Sequence, residues 1–130
     1  MALVTRFVNT ASTAGGDGTT NNTSGATRAY ASLNEWESNE QTNLVSAGDT
    51  HEVTCEGGID SASLTIAGWG TNSTNFPTIK TTTDDPSGIF DSGKYFLDRG
   101  TGLGAILAIN DDNTKLSGIQ FRREIGRAHV

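Results

Sequence analysis

An all-β chain of solenoid type is the fold class this sequence predicts, and three observations predict it. Turn and strand formers dominate: Thr, Ser, Asn and Gly fill 56 of the 130 positions, while Lys, Arg, Asp and Glu together reach only 18%. Thr favours strands and the other three favour the turns between them. From residue 50 onward short apolar β segments alternate with turn chemistry and no helical pattern intervenes. Val53, Ile79 and Ile106 stand 26 and 27 residues apart, the spacing of stacked turns in which each buries its neighbour's apolar face.

Taken in chain order, residues 3–9 (LVTRFVN) carry strand-forming side chains and predict a short strand. Residues 11–27 are almost free of apolar side chains and dense in Gly, Asn, Ser and Thr, which predicts a loop. The period then changes. Ala29, Leu33 and Trp36 fall at i, i+4 and i+7 with Glu35, Glu37 and Glu40 largely elsewhere, which predicts an amphipathic helix over 28–41 with Thr27 as its N-cap. That helix, placed before the first repeat, is expected to cap the solenoid's N-terminal end.

Strands are predicted at 53–55, 64–66, 78–80, 95–97, 105–109 and 116–121. The breaks between them are Gly57-Gly58, Gly68-Trp69-Gly70, Asp84-Asp85-Pro86, Ser92-Gly93, Gly100 to Gly102 and Asp111-Asp112-Asn113.

The length allows one domain with a core of its own. A net charge of −6 and a pI near 4.7 exclude the basic footprint that nucleic acid requires, so no nucleic-acid partner is expected. No apolar stretch approaches the roughly 20 residues that span a bilayer, and the start lacks the apolar run of a signal peptide; no membrane partner is expected. Cys55 is the only cysteine; Val53 and Leu64 nearby point to a small buried hydrophobe and not a reactive thiol.

The ending is expected to have a different origin. Ile125 to Val130 is what the codons ATC GGA AGA GCA CAC GTC encode, bases that match a common short-read sequencing adapter, and Glu124 fits the same run. The chain is therefore expected to divide into a truncated N-terminal cap and first coils at 1–123 and an adapter-derived tail at 124–130. The protein is expected to continue past Arg123, and His129 and Arg127 carry no functional weight.

Five stretches together resemble the opening segment of right-handed parallel β-helix proteins of the pectin-lyase-like kind, of phage and environmental type. They are Gly15 to Thr20 (GGDGTT), Arg28 to Trp36 (RAYASLNEW), Leu64 to Trp69 (LTIAGW), Asn75 to Ile79 (NFPTI) and Lys115 to Phe121 (KLSGIQF). They span most of residues 10–121 and are structural patterns, so the resemblance implies a fold more strongly than an activity. It implies a partner among polysaccharides or cell-surface glycans, an extracellular or virion-associated setting, and, by analogy with phage tail proteins, a homotrimer at full length.

Enzymes of that fold use Asp residues, some with calcium. Asp111-Asp112 follow Asn110 and a predicted strand, but adjacent carboxylates mark a solvated turn, and a glycosidase needs two carboxylates at a set separation across the bond. The His-containing and basic motifs that accompany such a cluster in polygalacturonase-like enzymes are absent. Asp84-Asp85 also read as a turn, since calcium takes six to eight oxygens and no such set is apparent. Gly15 to Gly18 falls short of a calcium-binding repeat. His51 and His129 with one cysteine cannot build a zinc site, so no metal or other cofactor is expected.

Trp69, between Gly68 and Gly70, is the carbohydrate-contact candidate, because an indole beside glycines can stack on a sugar ring; the competing reading packs it in the interior. Asn21-Asn22-Thr23 and Asn72-Ser73-Thr74 match glycosylation acceptors, as chance allows in so Asn- and Thr-rich a chain. The function expected is a non-catalytic structural or adhesive module that meets carbohydrate. The alternative is the front of a polysaccharide lyase or glycoside hydrolase whose catalytic residues lie downstream.

Overall fold

The computed structural model describes residues 2–61, 64–81, 90–98 and 106–122. Among the described residues nine strands lie in three sheets, and all of their pairings are parallel. The largest sheet joins β1 (Ala2–Asn9), β2 (Asp49–Glu56), β5 (Pro77–Thr81) and β8 (Lys115–Ser117) in the order β1-β2-β5-β8. The second joins β3 (Ile59–Asp60), β6 (Phe96–Asp98) and β9 (Gln120–Arg122), and the third pairs β4 (Leu64–Ile66) with β7 (Leu107–Ile109). Among the described residues there are also two short helices, α1 (Leu33–Glu40) and α2 (Leu44–Ala47).

The architecture corrects the predicted all-β solenoid with a capping helix at 28–41. The chain is mixed α/β, a four-stranded parallel sheet with two smaller sheets and two helices. The helix is no detached lid: Leu33 and Trp36 of α1 are buried to 1% and 0% exposure in the same cluster as Val8, Val53, Leu64, Ile66 and Ile79. The inferred spacing also fails at its third point. Val53 does pair with Ile79, but the next residue along that row is Leu116, 37 positions on, and Ile106 lies next to β7 of a different sheet. Two similar intervals do not make a period when the connection after β5 is longer than the one before it.

Helix α1 starts five residues later than predicted, and its cap explains why. Ser32, in extended conformation, accepts a hydrogen bond from Glu35 N at 3.1 Å, while Glu35 reaches back to Ala31 N at 2.7 Å. Ser-x-x-Glu is a capping-box pattern, and it outranks the apolar period that placed the start at 28. A second anion sits at the same end: Asp60 Oδ2 accepts from Leu33 N at 2.9 Å, satisfying another of the free N–H groups of the first turn. Residues before Ser32 instead cover the outer edge of β1, where Phe7 N donates to Gly18 O, Asn9 N to Tyr30 O and Tyr30 N to Phe7 O, each at 2.9 Å.

The two-residue alternation of β2 sets the inside and outside of the large sheet. His51, Val53 and Cys55 are buried, with Thr50, Glu52, Thr54 and Glu56 between them only partly covered. Cys55, at 1% exposure, is the small interior hydrophobe expected. After β2 the chain turns at Gly57 (φ +104°), where a Cβ would meet Thr10 Oγ1 at 2.1 Å, so only glycine fits the close crossing. The predicted breaks at Gly100 to Gly102 and Asp84-Asp85-Pro86 and the 124–130 tail lie outside the described residues.

Candidate functional site

Trp69 is where sequence reasoning placed its interest, and the structure surrounds it. The residue is 5% exposed; its ring stacks on Trp36 at 5.2 Å between centroids with 27° between planes, and His51 meets it edge-on at 5.4 Å. Its Nε1 donates to Glu37 Oε2 at 2.6 Å, and its backbone N donates to Asp111 Oδ2 at 3.0 Å. An indole so enclosed offers no face to a sugar, and the aromatic pair is instead core. Among the predicted residues, Asp111 and Asp112 are brought to Trp69: the Asp112 carbonyl accepts from Thr71 Oγ1 at 2.6 Å. They do form a turn, with Asn113 at φ +65°. Asp84 and Asp85 lie outside the described residues.

Glu37 was not singled out in the sequence, and it is the most committed carboxylate near Trp69. Its Oε1 accepts from Ala67 N at 3.1 Å while Oε2 holds the indole, and Gln41, beside it, donates to the Ala67 carbonyl. Burial pushes the Glu37 carboxyl up, the bonds from Trp69 and Ala67 pull it down, and Asp111 adds a further upward push. Two carboxylates on either side of one tryptophan resemble half of a glycosidase site, but each is spent on this chain's own N–H groups. That arrangement clamps a loop; it does not face a scissile bond.

Other interior ionisable groups among the described residues are used in a similar way. Asp60, 4% exposed, takes Leu33 N and the Tyr95 hydroxyl, the latter at 2.5 Å. Burial pushes both the Tyr95 hydroxyl and the Cys55 thiol well up, so both stay protonated and neither is a ready nucleophile. Asp98 binds Arg122, whose guanidinium lies 4.8 Å from the Phe96 ring centroid. A cleft of about 200 Å³ opens beside the end of β2, lined by Cys55, Glu56, Thr81, Lys94 and Tyr95. Among the described residues no group of three or more His, Cys, Asp or Glu is gathered as a metal would need, and no helix is long and apolar enough to cross a membrane.

The outward face of the large sheet is chemically different. The register aligns Thr5, Glu52, Thr78 and Lys115 in one row across four strands, and Phe7, Thr54, Lys80 and Ser117 in the next. Glu52 and Lys80 are joined diagonally at 3.0 Å, with side-chain exposures of 27% and 40%. Strands about 4.8 Å apart make this a flat, hydroxyl-rich surface with charges of both signs and one phenyl ring. Sequence reasoning missed it because neighbours in a row lie 26 to 47 residues apart in the chain. Period-2 alternation in DTHEVTCE was the one signal available, and it identifies the outward residues of β2 but not their partners.

No family model, curated protein or solved structure matches this chain, so the resemblance to the pectin-lyase-like family brings no residue roles to it.

Proposed function

We propose that this chain is a non-catalytic structural and adhesive module that lays the outward face of its four-stranded sheet along a glycan. The observation that carries the reading is the pair of aligned rows, Thr5-Glu52-Thr78-Lys115 and Phe7-Thr54-Lys80-Ser117. A sugar chain presents hydroxyls that both donate and accept, and the rows answer with hydroxyls, a carboxylate and two ammonium groups; the Phe7 ring suits the apolar side of a pyranose. The rows repeat in a straight line, as sugar residues do. A second support is that the interior carboxylates described above are engaged with the chain's own donors, whereas the outer face presents its hydroxyl and charged groups outward.

The test is chemical-shift mapping of the isotope-labelled protein against a panel of neutral and acidic polysaccharides. Expected are shifts centred on the eight residues of the two rows, and a loss of affinity of roughly tenfold, worth about 1.4 kcal/mol, when Phe7→Ala and Lys80→Ala are combined. Circular dichroism should stay unchanged, since both side chains point away from the core. Shifts that cluster elsewhere, an affinity untouched by the double variant, or shortening of the polysaccharide during the titration would each reject the reading.

A further inference from the structure

His51 is the inward residue of β2 flanked in register by Val4 of β1 and Pro77 of β5, and it is 3% exposed. Trp36 and Trp69 box its ring, at 5.7 Å and 5.4 Å between centroids. Trp36 Nε1 donates to His51 Nε2 at 3.1 Å. An indole N–H can only donate, so the bond requires an unprotonated Nε2 and a neutral imidazole. This one bond ties the middle of α1 to the middle strand of the interior, between the Asp60 tie at its first residue and the Arg6–Glu40 ion pair, 3.0 Å, at its last.

We propose that His51 is an acid-operated latch: a proton taken up at Nε2 sets two N–H donors against each other, ends the Trp36–His51 bond and frees α1 from β2 and β4. The geometry makes the change abrupt, because a ring enclosed by two indoles cannot turn a different atom toward Trp36 without displacing one of them. An unpaired charge at that depth is also costly.

The charged groups around His51 have opposing effects. Glu40 on α1 and Asp49 at the start of β2 favour its proton, and Arg6 on β1 opposes it. Burial outweighs all three and pushes the imidazole down from its ordinary 6.5 to about 4. Once α1 is released, His51 regains its ordinary affinity for the proton, so the freed state binds more protons throughout that interval. Latch stability is thus complete above 6.5 and falls as pH drops toward 4. Glu37 acts in the other direction, since burial raises its carboxyl and acid relieves that cost. A test must therefore separate the imidazole from the carboxylates.

The chain supplies its own reporters, for its only two tryptophans are the two that enclose His51. Tryptophan emission is followed from neutral to acid pH in the parent chain and in His51→Gln, whose amide oxygen still accepts from Trp36 Nε1 but does not titrate. Expected is an emission change between pH 6.5 and 4 in the parent that is lost in the variant. Over the same interval amide exchange should accelerate in Leu33–Glu40 ahead of β2. Should the variant not fold, imidazole NMR decides instead: in a His129→Ala background the remaining ring must titrate with the midpoint of the emission change. The proposal is overturned if His51→Gln keeps the transition, if the imidazole titrates without any change in emission, or if exchange rises uniformly over the whole chain.

Discussion

Trp36→Ala lowers stability by about 4 kcal/mol, the largest effect expected of any single truncation here. Trp36 has no solvent exposure and is the largest of the fully buried side chains among the described residues. Removing it opens a cavity between α1 and β2, leaves Trp69 without the ring it stacks on and leaves His51 Nε2 without its donor. The cavity dominates; the lost stacking adds about 1 kcal/mol and the lost hydrogen bond about as much. A chain of this size holds roughly 5–15 kcal/mol in all, so the variant sits near the edge of folding. Trp36→Phe keeps most of the ring, and the expected cost is about 2 kcal/mol. Urea unfolding read by far-ultraviolet circular dichroism checks both, and equal losses for the two variants would show that volume is not what matters at this position.

Asp60→Ala is expected to cost about 3 kcal/mol, although it removes little apolar volume. The carboxylate joins three parts of the fold from the interior of β3: it accepts from the first backbone N–H of α1 and from the hydroxyl of Tyr95, just before β6. Without it the buried Leu33 N–H is left unsatisfied and the Tyr95 hydroxyl loses its carboxylate acceptor, at about 1–3 kcal/mol each. The anion at the positive end of α1 goes as well. Tyr95→Phe alone removes the hydroxyl's bond to the carboxylate and should cost about 1 kcal/mol, and Asp60→Ala added to it should then cost less than in the parent. Strict additivity in that double-mutant cycle would mean that the hydroxyl and the carboxylate do not act together.

How much of this was legible in the sequence differs by element. The strand at 64–66 was placed to the residue and β5 to within one residue at each end, because short β-branched runs between Gly and Asn turns leave little choice. Strand β3 was not legible: two residues after Gly57-Gly58 carry no alternation to read. Helix α2 is likewise only four residues long, marked by Asn43 as N-cap and Gly48 at φ +72° as its end, signals that exist in the sequence but are too short to stand out.

The fold class was misread for a reason that spacing alone cannot mend. Val53 and Ile79 are partners, and extending their interval to Ile106 passed over a connection whose length is unlike the first. For the site, the turn at Asp111-Asp112 was legible and its contact with Trp69, 42 residues away, was not. His51 carried no signal of its own beyond its place in an alternating strand, since burial between two indoles depends on residues 15 and 18 positions to either side.

The claim beneath all of these is that β2 and β5 run parallel with Val53 beside Ile79, which puts His51 inside and Glu52 and Lys80 outside. Scalar couplings across hydrogen bonds, measured by NMR between the amides of one strand and the carbonyls of the other, test it directly. The account predicts coupled pairs whose residue numbers keep a constant difference near 26, as in the register from His51 and Pro77 to Cys55 and Thr81. Pairs whose numbers keep a constant sum would mean antiparallel strands, and would contradict both the interior built around His51 and the face assigned to the glycan.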